Sequence, residues 1–112
     1  MEQVSLTELS SALLADAHAQ GSGRASHTLH GGRDHALRQL LLALAGGRAL
    51  SDHEAPREAT LQVLSGQVRL TTADGDWEGG AGDFVVIPAI RHGLTAVTDA
   101  VVLLSTDVTP VH

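Results

Sequence analysis

From residue 24 onward the apolar positions fall into short runs, and glycine, proline, aspartate or serine interrupts them every several residues. That cadence predicts strands joined by tight turns, whereas the first 23 residues carry apolar positions at helical spacing. Leu6, Leu9, Leu13 and Ala17 recur on one helical face. Ser5 is placed to cap that helix with Glu8 three residues on, Val4 and Leu9 can form a hydrophobic staple across the cap, and Gly21 and Gly23 end the pattern. The expected strands are 25–29, 35–44, 48–53, 59–64, 67–72, 84–87, 94–97 and 101–108, with turns at Pro56, Ser65-Gly66 and the 73–76 segment. The segment 35–44 is leucine-rich and long enough for a helix, and is assigned as a strand on the texture of its surroundings. The chain is thus expected to fold as an all-β antiparallel barrel over residues 24–112, with a helical extension over 1–23.

Alternation assigns faces within these strands. Ala59, Leu61 and Val63 share one face of theirs, which makes that face the natural interior and turns Glu58, Thr60 and Gln62 outward. A bulge between Pro56 and Thr60 would shift the register by one and reverse the assignment. In the 35–44 segment, His35, Leu37, Gln39, Leu41 and Ala43 share one face. The other is apolar apart from Arg38, which is expected at the rim.

Composition narrows the functional classes. The chain of 112 residues has a formal net charge of −6, and its seven basic side chains are all arginine. Dispersed arginines on an acidic chain disfavour a nucleic-acid backbone as partner, and with Trp77 and Phe84 as the only aromatic residues there is no base-stacking platform. Without lysine there is no Schiff base and no P-loop, and without cysteine there is no thiolate chemistry or disulfide. No apolar run approaches the ~18 residues of a membrane span, and the N-terminus lacks a signal-peptide pattern. A cytoplasmic protein is expected. The glycine pairs 31–32 and 79–80 open no βαβ unit, and no serine sits in a nucleophile elbow, so phosphate loops and serine-hydrolase chemistry are set aside.

Histidine is abundant, with seven in the chain, and two of them stand within spaced motifs. Gly47 is followed after five residues by His53, and then by Ala55, Ala59 and Gly66; Gly82 is followed after five residues by Pro88, and then by Ile90 and His92. These two stretches resemble the paired motifs of the cupin family, in which glycine, His-x-His, glutamate and glycine are followed by glycine, Pro-x-Gly and a histidine. The departures are specific. Ala55 stands for the second histidine, Ala59 for the glutamate and Ile90 for the inner glycine, while His92 arrives one residue early.

The resemblance implies a cupin-type antiparallel jelly-roll β-barrel with a pocket around His53 and His92. Family metal sites converge three or four imidazole and carboxylate donors on one ion, so a divalent metal (zinc, iron, manganese or nickel) held by His53 and His92 would need a third donor. Gln62 or Glu58 is the expected candidate, through the bulge. His27 and His35 could reach the mouth, whereas His18 and His112 are expected in solvent. Two functions follow. One is a small-molecule-binding module whose pocket is lined by Ala59, Leu61, Val63, Val68 and Leu70. The other is a metal-dependent enzyme of dioxygenase or isomerase type. A homodimer is also expected, because small sheets leave edges and the helix together with the apolar run 101–104 exceeds what one small barrel needs.

Overall fold

Residues 1–55 and 57–108 are described by a computed structural model; the Pro56 turn and His112 fall outside them. The helix α1 (Leu6–Ala19) begins as its sequence dictates, with the Ser5 hydroxyl accepting the Glu8 backbone N–H at 3.2 Å. Its stripe of Leu13 and Ala17 is buried against Leu41, Ala43 and Val101. The helix therefore lies on the outer face of its own chain's sheet.

Nine strands follow among the described residues: β1 (Arg24–His30), β2 (Leu37–Leu44), β3 (Ala49–His53), β4 (Ala59–Ser65), β5 (Gln67–Thr72), β6 (Gly75–Gly80), β7 (Phe84–Ile87), β8 (His92–Ala96) and β9 (Ala100–Asp107). They form two antiparallel sheets, of order β1-β2-β9-β4-β7 and β3-β8-β5-β6. The architecture is a jelly roll of two packed sheets, as the expected cupin-type antiparallel jelly roll requires. Its core draws Leu42, Leu44, Leu61, Val63 and Val102 from one sheet and Val68, Leu70, Leu94 and Ala96 from the other. Each fully buried Leu or Val here stabilises the fold by about 1.5–3 kcal/mol over its exposed state.

Three local departures from the sequence expectation have physical causes. The segment 35–44 is a strand from Leu37 only, because His35 closes a turn by donating its backbone N–H to Gly32 O at 3.1 Å. Strand β8 begins at His92, two residues earlier than its apolar run, because His92 already pairs with Thr72 on one side and His53 on the other. The run 101–104 is not spare surface. Val101 is buried and Leu103 packs in the layer beneath α1, while Val102 is buried between the sheets and Leu104 packs against that core. Among the described residues no helix is long and apolar enough to cross a membrane.

Candidate functional site

His53 ends β3 directly across from His92 at the start of β8. The register shifts between Leu50 and His53, and this irregularity brings the two imidazoles side by side, with ring centroids 4.5 Å apart and planes at 66°. His92 is only 4% exposed, whereas His53 is open to solvent. Each ring is held by the backbone two residues before it: His53 Nδ1 lies 3.1 Å from Ser51 O, and His92 Nδ1 lies 2.9 Å from Ile90 O. A carbonyl oxygen only accepts, so each Nδ1 carries the proton and donates it. In the neutral ring this leaves Nε2 as a free acceptor. The pair thus presents two Nε2 lone pairs from one strand junction.

The next strand continues the site. Thr72 of β5 is the register partner of His92, and its hydroxyl donates to Gly75 O at 2.7 Å and accepts the Asp74 N–H at 3.1 Å. From Thr72 opens a cavity of about 290 Å³ lined by Leu70, Asp74, Asp76, Trp77, Val85 and Pro88. The Trp77 indole rests over Gly79, where a β-carbon would collide with the ring. At the exposed edge beside His53, Arg91 donates to Glu54 at 2.9 Å and to Asp52 O at 3.2 Å. Larger cavities lie elsewhere, including one of about 330 Å³ at Glu58 and Ala59 and one of about 430 Å³ beside α1. No histidine lines these two or the Thr72 cavity, and one of about 440 Å³ at the start of α1 is lined by His27; the Thr72 cavity is set apart by the register pairing of Thr72 with His92.

Of the residues assigned to the pocket, Leu61, Val63 and Val68 are wholly buried in the core; Leu70 lines the mouth cavity, and Ala59 the one at the far edge. Glu58 and Gln62 are exposed, and the β4 register runs unbroken from Ala59 to Val63, with its irregularity between Val63 and Ser65. Alternation therefore keeps Gln62 on the outer face opposite Phe84 and Leu103, and neither side chain joins the histidines.

The other described histidines also lie elsewhere. His30 and His35 face each other on the β1–β2 loop with centroids 4.6 Å apart, and His18 contacts Asp99 at 2.6 Å. His27 is exposed near Ser5 at the start of α1, and Arg38 is exposed, as its rim assignment required. Thr72, Asp74, Asp76 and Trp77 were not singled out by sequence. Their signal is the alternation of Val68, Leu70 and Thr72 carried across the Asp74-Gly75 turn, which sets Trp77 opposite Leu70.

The donor set does not fit a catalytic metal centre of three or four protein ligands. Among the described residues no group of three or more His, Asp or Glu side chains is placed to hold an ion. Ala59 puts a methyl group into the core where the family's glutamate would project, and Ala55 stands where its second histidine would.

Residues 40–108 match the family model described as a cupin domain. No curated protein matches the chain. Among solved structures, a conserved protein of unknown function from Streptococcus pyogenes is similar at 27% identity and TM-score 0.71, with 82% of this chain and 80% of that one covered. A cupin superfamily protein from Desulfitobacterium hafniense is similar at 21% identity and TM-score 0.70, over 77% and 78%. The salicylate 1,2-dioxygenase of Pseudaminobacter salicylatoxidans is similar at 19% identity and TM-score 0.74; 89% of this chain corresponds to 33% of the dioxygenase. That last likeness is one of fold.

Proposed function

Because the chain belongs to the cupin family, whose domain model spans residues 40–108, we propose that it is a single-domain cupin that binds a small molecule at the His53–His92 mouth and does so without a metal held by its own side chains. The observation that carries this reading is the pair of imidazoles locked by Ser51 O and Ile90 O beside a half-apolar cavity. Preformed acceptors next to apolar walls are what orients a small ligand, since the apolar surface supplies affinity and a few fixed polar atoms supply orientation. For the enzyme alternative, a dioxygenase or isomerase run on a divalent ion, no group of three donors is placed to hold that ion among the described residues. No reaction step is assigned.

The proposal includes a two-fold homodimer. Strand β7 is the edge of the five-stranded sheet, and its Phe84 and Val86 are 59% and 67% exposed on the face that α1 leaves open. An edge strand with exposed apolar side chains is a ready template for pairing with a second copy.

The binding site is tested by nuclear magnetic resonance of chelator-stripped protein titrated with small polar-aromatic fragments. Shifts are expected at His53, His92, Thr72 and Trp77 without added metal. Shifts that appear only after a divalent ion is supplied, or that cluster elsewhere, would refute it.

A further inference from the structure

We infer that this pocket, granted the binding role proposed above, selects a small organic cation, an amine on an apolar body, over a carboxylate of the same size. The charges around the cavity are one-sided. Asp74 and Asp76 both line it, and no arginine does. Two guanidinium groups are engaged elsewhere: Arg69 contacts Glu78 at 3.1 Å across β5 and β6, and Arg91 contacts Glu54 at 2.9 Å beside the histidines. An incoming carboxylate would therefore lose hydration with no arginine in the cavity lining to replace it, in the field of the acidic residues Asp74 and Asp76.

An ammonium group meets the opposite situation. One strand over from the cavity, His92 is the register partner of Thr72, and with the Nδ1 protons of His53 and His92 committed to carbonyls, Nε2 is the acceptor of each ring in its neutral form. The half-buried Trp77 supplies an indole face at the cavity wall, the most favourable aromatic surface for a cation. Leu70, Val85 and Pro88 give the ligand's hydrocarbon body somewhere to lie. Thr72 contributes little to discrimination, because its hydroxyl already donates to Gly75 O and accepts from Asp74 N–H.

The chain carries its own reporter, since Trp77 is its single tryptophan. Phenethylamine, 3-phenylpropionate and 2-phenylethanol, matched in size and differing in charge, are titrated into chelator-stripped protein at low ionic strength, with Trp77 emission and calorimetry as readouts. The amine is expected to bind about 10-fold or more tightly than the carboxylate, with the alcohol between them, and the preference is expected to shrink as salt is raised. The doubly neutralised variant Asp74→Asn/Asp76→Asn, whose folding is checked by circular dichroism, should still bind the alcohol and lose most of the preference. A carboxylate that binds as tightly as the amine, or a preference unchanged in that variant, overturns the inference while leaving the pocket in place. If none of the three probes binds, the binding role itself fails and the inference falls with it.

Discussion

Beneath the Trp77 indole, residue 79 has to be glycine for steric reasons, because the ring occupies the space of any β-carbon there. Gly79→Ala should displace the indole from the cavity wall, shifting its emission and costing about 1–3 kcal/mol as overpacking does; unchanged emission in the variant would mean that the ring is not seated on residue 79. A second close approach is at Gly66, where φ is +77 and a β-carbon would run into the Asp99 backbone carbonyl. Gly66→Ala combines backbone strain with that collision, so a loss of at least roughly 1–3 kcal/mol is expected in urea unfolding. The motif glycine at 66 is thus legible in the sequence as a turn, whereas the glycine at 79 is not, because its reason is a side chain on the same strand two residues away. His92 was legible as a candidate from its motif, and its inward direction follows from the alternation it shares with Leu94 and Ala96 of β8; what no local residue announces is the irregularity between Leu50 and His53 that sets His53 across from it.

Among the elements, the hairpins were the most readable. Ser65-Gly66 and Asp74-Gly75 carry turn chemistry, and the observed β4 and β5 follow from the first, whereas β6 after the second turn was not among the expected strands. At this scale an unbroken β4 register from Ala59 to Val63 keeps Gln62 on the outer face, and Glu58, just before the strand, is exposed. A long-range tie that sequence could not show joins three elements. Asp99, in the β8–β9 turn, accepts the Gly46 N–H at 2.8 Å and meets His18 of α1 at 2.6 Å. The Gly46 bond first, and the His18 bond second, lower the Asp99 pKa below its ordinary value. A carboxylate lowered on folding adds stability that is complete above its unfolded pKa and is lost as pH falls through the folded one. Parent protein should therefore exceed Asp99→Asn in urea midpoint at pH 7, and the gap should close as pH is lowered below about 4. A gap that is constant from pH 7 to strongly acidic conditions would assign the contact no titrating role.

At the scale of the whole molecule, α1 and the strands it covers consume the apolar run 101–104, so that association must use other surface. The β7 edge with Phe84 and Val86 is the place proposed. Sedimentation at micromolar concentration should give a dimer for the parent and a monomer for Phe84→Asp/Val86→Asp; a monomeric parent would contradict it. The two-sheet jelly roll was legible because spaced glycines and strand cadence are properties of the chain, while the strand order within each sheet and the cavity at Thr72 arise only when distant strands meet. Set against the motif pattern that the chain resembles, it carries a pair of histidines, His53 and His92, with alanines at the two positions where further donors would stand. The decisive measurement is calorimetric titration of zinc, manganese, nickel and ferrous ions into chelator-stripped parent and into Ala55→His/Ala59→Glu, each with the His53→Ala and His92→Ala controls. The parent should bind at least about 100-fold more weakly than the restored variant, as the loss of two ligands requires. One equivalent of metal held by the parent at submicromolar affinity, and released by either histidine substitution, would contradict a metal-free binding site.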